Sequence, residues 1–278
     1  MIDNCQSNEK SSTEYLKNKY RNLELYKIDQ ANAGVARNVG LSKVKTKWVL
    51  FADSDDVFLP DLFDRIRPFL DIDSDVVYFP PEFKSDITRK RDYRQHYKKI
   101  IGKYIEKPSK RAEWRIRLTF DVPWSKLIKY KYIEDNNLRF EATKKQNDTI
   151  FSQKLGILAE KNTISSVPIY TAIDNSDSIT HNLEKEYFKD AVSVKIRSYK
   201  LKMSCVDKKI LKQSNDLLFY EPFQTIVKSF NIYRNPSFTY DIFLEFKKNG
   251  VPIVTPFVIR TGLRRILSGL KRVLKLEV

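Results

Sequence analysis

Up to residue 81 the chain alternates short apolar runs with stretches of helical spacing, and this alternation constrains the fold more than anything else in its 278 residues. "NLELYKID" (22–29) places Leu23, Leu25 and Ile28 as a short strand would. A turn at Asn32 and Gly34 follows, then a short helix over Val35 to Val44. "WVLFA" (48–52) reads as a buried strand ending at a loop. Pro60 and Asp61 then open a helix carrying Leu62, Phe63, Ile66 and Phe69, and "DVVYFPP" (75–81) is a further buried strand stopped by prolines. Strand, helix, strand, helix, strand predicts an α/β fold with a mostly parallel sheet, whose ligands bind beyond the carboxyl ends of the strands.

Further along, "KKQNDTIFSQKLGILAE" (144–160) sets Ile150, Phe151, Leu155 and Leu158 on a helical face, and "ISSVPIYTAID" (164–174) reads as a strand or edge pair interrupted by Pro168. Beyond about residue 180 the pattern lengthens and loses strand alternation. Three regions are expected: an α/β domain over 1–180, a helical region over 181–255, and a basic amphipathic tail helix over 256–278. In that tail Leu263, Ile266, Leu267, Leu270 and Leu274 share one side, bordered by Arg264, Arg265, Lys271, Arg272 and Lys275. The two cysteines, Cys5 and Cys205, form neither a disulfide framework nor a zinc motif. No apolar run approaches the roughly 20 residues of a spanning helix, and residues 1 to 20 carry no secretory signal. A cytoplasmic protein is expected, with the tail able to lie on an anionic inner membrane face.

The net charge of +16 calls for an anionic partner, whether nucleic acid, acidic lipid or a phosphate-bearing substrate. Yet Asp53, Asp55 and Asp56 gather directly behind the strand at 48–52. Carboxylates so close repel one another unless a cation sits among them, and Asp oxygens suit hard ions such as magnesium and manganese that also bridge phosphates. A turn or helix cap accounts for the same residues taken alone.

The run "NAGVARNVGLSKVKTKWVLFADSDD" (32–56) resembles the donor-binding half of family 2 glycosyltransferases. In that family an N-x-G-x-x-x-A-R-N-x-G segment leads through a helix and an apolar strand to an acidic D-x-D signature. Asn32, Gly34, Ala36, Arg37, Asn38 and Gly40 match the first element, and Asp53, Asp55 and Asp56 the second. The resemblance implies a GT-A, Rossmann-like fold and transfer of a sugar from a nucleotide-sugar donor, a UDP-sugar, to a surface polysaccharide or lipopolysaccharide. It also implies inversion and dependence on Mn2+ or Mg2+. Asp53 would contact the donor ribose or support the metal, Asp55 would ligate it, Asp56 would shape the loop or touch the sugar, and Arg37 would lie near the nucleotide or brace the acidic loop. Asp3 would correspond to the acid that recognises the uracil. Asp148 would be the general base, with Asn147 where the family usually has Glu; a helix N-cap explains Asp148 equally. "DVPWSKL" (121–127) matches a segment in which Trp124 and Lys126 would face donor or acceptor, or else pack as a core aromatic and a solvated amine. His181 would be a surface histidine or a diphosphate neighbour.

Set against the family pattern, the first strand and first helix are absent ahead of "MIDNCQSNEKS", so weakened donor binding is expected. Two other readings stay open: a catalytically inert relative, or a basic protein binding a membrane or nucleic acid through 84–117, where Tyr93, Tyr97, Tyr104 and Trp114 lie among cations. Nucleic acid is the disfavoured partner, because that block matches no known binding module. A saccharide or glycolipid acceptor is favoured.

Overall fold

The computed structural model describes residues 1–3, 14–85, 95–174, 183–214, 216–256 and 258–260. They fall into two compact units, Met1–Asn182 and Leu183–Val278. In the first, the elements run β1 (Ile2–Asp3), α1 (Glu14–Lys19), β2 (Tyr26–Lys27), α2 (Ala33–Leu41), β3 (Trp48–Val49), β4 (Val57–Phe58), α3 (Leu62–Ile66), β5 (Val76–Tyr78) and β6 (Glu82–Ser85). There follow α4 (Gln95–Glu106), α5 (Lys110–Thr119), β7 (Lys126–Lys129), α6 (Tyr130–Asp135), α7 (Thr149–Leu158), β8 (Asn162–Ile164) and β9 (Tyr170–Asp174).

The α/β fold read from the alternation is present, and its strands are shorter than the apolar runs. Only Tyr26–Lys27 of 22–29 and Trp48–Val49 of 48–52 join a ladder. The sheets are also more mixed than a mostly parallel arrangement. Among the described residues β1–β2, β5–β8 and β6–β9 pair parallel, while β3–β7, β5–β7 and β4–β9 pair antiparallel. The four-stranded order is β3-β7-β5-β8. Strand β7 follows two helices packed on each other, α4 and α5, and not the single crossover helix that keeps successive strands parallel.

Val76, Val77, Tyr78 and Phe79 are fully buried and form the middle of the core with Ile116, Leu127, Ile128 and Leu155. Phe63 and Leu158, expected on inward faces, are exposed; α3 is only five residues long and Leu158 is the last residue of α7. Phe51, Phe140 and Phe151 make a compact aromatic group, with Phe140 and Phe151 stacked at 3.9 Å and Phe51 edge-on to both. Phe51 leads into the acidic loop, Phe140 into the loop before α7, and Phe151 lies in the first turn of α7. One apolar cluster thereby sets the spacing of two loops far apart in sequence.

Helix α7 is anchored at its other end by Arg117 of α5. Its guanidinium donates to the carbonyls of Gly156 (2.7 Å), Ile157 (3.3 Å) and Ala159 (2.7 Å), groups that the end of a helix leaves without intrahelical partners. Arg117 also lies over the Trp114 ring and pairs with Glu113. Close approach of the two helices depends on Gly156, where an added Cβ would stand 2.1 Å from the Arg117 carbonyl oxygen.

The second unit is helical: α8 (Lys185–Cys205), α9 (Lys208–Ser214), α10 (Glu221–Tyr233) and α11 (Pro236–Lys248). Val192 and Ile196 of α8 pack with Phe238, Ile242 and Phe246 of α11. Asn235 caps α11 by accepting from the Phe238 N–H, with Pro236 at the first helical position. The tail residues 261–278 lie outside the described residues.

Gly156→Ala tests the α5–α7 contact. Alanine is the better helix former by about 1 kcal/mol, but overpacking costs about 1–3 kcal/mol, so the variant should melt at a lower temperature than the parent.

Candidate active site

The acidic residues do three different things. The loop from β3 to β4 turns at 53–56, where the Asp56 N–H donates to the Asp53 carbonyl. Asp56 is gripped from β9: the Tyr170 hydroxyl donates to its Oδ2 (2.6 Å) and the Ile173 N–H to its Oδ1 (2.7 Å). The same hydroxyl accepts from the Asp53 N–H at 2.9 Å, so Tyr170 holds both ends of the turn. Burial pushes the Asp56 carboxyl up to about 6 against the pull of those hydrogen bonds. Asp55 is exposed at the turn's tip, and Asp53 is paired with Arg37 at 2.5 Å.

Arg37 reaches in two directions. Nη2 meets Asp53 Oδ1 and Nη1 donates to Asn147 Oδ1 at 2.9 Å, while the guanidinium lies over the Phe140 ring. The rest of the motif on α2 docks on the same segment. Asn38 exchanges two hydrogen bonds with the Phe140 backbone, at 2.9 and 2.8 Å. Asn32 caps α2 by accepting from the Val35 N–H and donates its amide to the Thr143 carbonyl. Gly34 permits this contact, since a Cβ there would stand 2.1 Å from the Glu141 carbonyl oxygen. The N-x-G-x-x-x-A-R-N segment is therefore a clamp on residues 140–147.

Asp148 directly follows the clamped segment. It occupies the cap position of α7 with helical backbone angles, φ −93° and ψ −17°, and its side chain caps no backbone N–H. The carboxylate is thus left for another task. Burial pushes it up to about 6; Arg37 opposes the shift, and Asp121 and Asp53 add to it. Gln146, two residues earlier, sits at φ +58°, a conformation unusual for a residue with a side chain, in the turn that delivers Asp148 to the helix.

The placement of the remaining candidates differs from what donor contact requires. Trp124 is buried, stacked on Tyr170 at 5.4 Å and edge-on to Tyr97. Lys126 is wholly buried, with Nζ donating to the Phe120 (2.6 Å) and Val122 (2.5 Å) carbonyls. Desolvation lowers its pKa to about 7, against the pull of Asp121 and Asp148. Lys126 is therefore not a solvated amine, and neither side chain is presented to a ligand. Asp3 lies in β1 in register with Lys27, and its side chain, like His181, is outside the described residues. Asp121 and Tyr170 were not legible as site residues: an acid between Phe120 and Val122 and a tyrosine in a strand carry no motif of their own.

No group of three or more His, Cys, Asp or Glu side chains is placed to hold a metal among the described residues. The donor set nevertheless fits a hard divalent ion bound with substrate. Asp55 is exposed and Asp53 is partly so, and magnesium-type sites commonly take one or two carboxylates and complete their shell with phosphate oxygens and water.

Comparison with known proteins gives a consistent likeness. Residues 2–136 match Glycosyl transferase family 2. Among solved structures, Staphylococcus aureus TarS 1–349 in complex with UDP-GlcNAc superposes with a TM-score of 0.58 at 19% identity, covering 89% of this chain and 68% of that one. The longer S. aureus TarS structure gives 0.55 at 21% identity, over 79% of this chain and 36% of that one. Mannosyltransferase PcManGT from Pyrobaculum calidifontis, in complex with GDP-Man and Mn2+, gives 0.50 at 11% identity, over 99% and 77%. At these identities the likeness is one of fold. No curated protein sequence matches the chain.

Arg37→Lys tests the bridge, since lysine keeps the charge but not the fork that reaches Asp53 and Asn147 together. Displacing the two loops by about 1 Å should lower kcat/KM by about 100-fold, with a smaller change in thermal stability. Steady-state kinetics beside a thermal melt check it.

Proposed function

We propose that this chain, whose residues 2–136 match Glycosyl transferase family 2, is a glycosyltransferase that moves a hexosyl group from a UDP-sugar to a hydroxyl of a surface polysaccharide or lipopolysaccharide, with inversion. The observation that carries this reading is Asp148, a partly buried carboxylate that makes no helix cap and is held beside the acidic loop through Arg37 and Asn147. The UDP-GlcNAc and GDP-Man in the structures of similar fold support a nucleotide-sugar donor.

In the proposed reaction Asp148 takes the proton of the acceptor hydroxyl as that oxygen bonds to the anomeric carbon. The bond from the anomeric carbon to the diphosphate breaks on the opposite face, and the nucleoside diphosphate leaves with the electron pair. Asp55, with Asp53, would hold Mn2+ or Mg2+ against the diphosphate, and the ion would supply Lewis-acid neutralisation of the leaving group. Arg37 keeps Asp53 and the base segment in register. Asp3 stays assigned to the uracil by its motif, and Asp56 to the shape of the loop.

The acceptor is proposed to be anionic. Lys98, Lys99 and Lys103 of α4, with Lys107, Lys110 and Arg111, are all exposed along the α4–α5 hairpin, where Glu106 is the one exposed acid. Such a face attracts a polyanion. Peripheral attachment to an anionic membrane is a further element, resting on the sequence of the tail; no helix among the described residues is long and apolar enough to cross a membrane.

Asp148→Asn should lower transfer by a factor of about 100 to 10,000 without loss of folding. Because Asp148 acts as a base only when ionised and its pKa is raised to about 6, kcat/KM in the parent should fall as pH drops below about 6. A flat profile from pH 5 to 8, or full activity in Asp148→Asn, removes the assignment. For the acceptor face, the triple change Lys98→Ala, Lys99→Ala and Lys103→Ala should weaken binding of labelled dextran sulfate about tenfold at low salt and leave uncharged dextran unaffected. Unchanged dextran sulfate binding would remove that face as a docking surface.

A further inference from the structure

The connection from α5 to β7 is held more firmly than a loop of its length needs, and everything that holds it converges on one residue. Lys126 donates to the carbonyls of Phe120 and Val122, the residues on either side of Asp121. Its ammonium also lies over the rings of Phe120 and Tyr78. From α4, Tyr97 donates its hydroxyl to Asp121 Oδ1 at 2.5 Å, and its ring packs on Phe120 and Trp124. His96 adds a hydrogen bond to Thr119 at 3.2 Å.

Burying a lysine is expensive, and a loop needing only closure could be built with apolar residues. Here the ammonium orients the backbone on both sides of a single acid, and a tyrosine fixes one oxygen of that acid. Asp121 is itself only partly buried, and its second oxygen, Oδ2, accepts no hydrogen bond among the described residues. Trp124, which packs edge-on to Tyr97, stacks in turn on Tyr170, whose hydroxyl holds the turn of Asp53 and Asp56. Asp121 is therefore held by the same aromatic chain, Tyr97, Trp124 and Tyr170, that braces the acidic turn of the proposed donor site. A carboxylate oxygen can only accept, and the donors a sugar offers are hydroxyls. Charge-assisted bonds of this kind are stronger than neutral ones, and a site built around one rejects analogues that lack the donor.

We infer that Asp121 is a specificity-determining residue that accepts a hydrogen bond from a hydroxyl of the transferred sugar, from a loop held in place by Lys126 and Tyr97. The inference rests on the reading of Asp148 and the acidic loop as a nucleotide-sugar site. It makes Lys126 and Tyr97 positioning residues, acting through Asp121 without touching the sugar.

The test is a titration of the full chain, parent and Asp121→Asn, with UDP, with UDP-glucose, UDP-galactose and UDP-GlcNAc, and with deoxy analogues of whichever sugar binds best. In the variant, affinity for UDP should stay within about twofold while the preferred UDP-sugar weakens about 10- to 100-fold. The parent should discriminate against one deoxy analogue, and the variant should not. Tyr97→Phe, which keeps the carboxylate but frees it, should show the same pattern to a smaller degree, and it carries the test if Asp121→Asn fails to fold. Equal losses for UDP and UDP-sugar would make the residue structural; unchanged sugar affinity, or discrimination retained in the variant, would also overturn the inference. A folded parent that binds no nucleotide sugar would overturn the donor reading itself. Loss of transfer in Asp148→Asn beside intact sugar discrimination in Asp121→Asn would overturn this inference alone.

Discussion

The two-sided contact of Arg37 is the interaction on which the site depends. Asp53 lies 16 residues after it and Asn147 lies 110 after it, and nothing local could hold those two loops in register. A guanidinium can, because its nitrogens form a planar fork with donors at fixed angles. The aromatic group of Phe51, Phe140 and Phe151 sets the distance beneath it, and Arg37 lies on that group's Phe140 ring. Apolar packing thus fixes how far apart the acidic loop and the base segment stand, and one ion pair with one hydrogen bond fixes how they face each other.

The same division recurs through the first unit. Arg117 closes the carboxyl end of α7, Lys126 grips the loop on either side of Asp121, and the Tyr170 hydroxyl holds the acidic turn at both ends. All three side chains are buried, and each places its polar group on backbone or carboxylate atoms. Hydrogen bonds of this kind are directional, whereas hydrophobic burial is not, so they decide which arrangement of the loops is kept.

Much of this was legible in the linear pattern. The alternation of strands and helices announced the α/β fold, and the two motif elements announced family 2 and which acids to examine. What the pattern misjudged, it misjudged for identifiable reasons. "DVPWSKL" left open a ligand-facing pair or a core aromatic with a solvated amine, because Trp and Lys carry the same letters whether they face a pocket or a core; Trp124 is the core aromatic, and Lys126 is buried as well. Phe63 and Leu158 fitted a helical face, but one lies in a single short turn and the other ends its helix, where nothing covers them. The mostly parallel sheet was inferred from crossover helices, and β7 enters antiparallel after a helical pair.

Asp148 marks the boundary between the two kinds of information. An aspartate before a run of helical spacing is equally a cap and a base, and no local rule separates them. In the folded chain its side chain makes no helix cap, burial raises its pKa, and the charges that act on it, Arg37, Asp121 and Asp53, come from segments far apart in sequence. Local chemistry, meaning propensity, spacing and the affinity of clustered carboxylates for a cation, is written residue by residue and can be read there. Burial and the field of distant charges are sums over neighbours that only folding brings together, and they decided which carboxylate is braced, which stays exposed and which is left free to act.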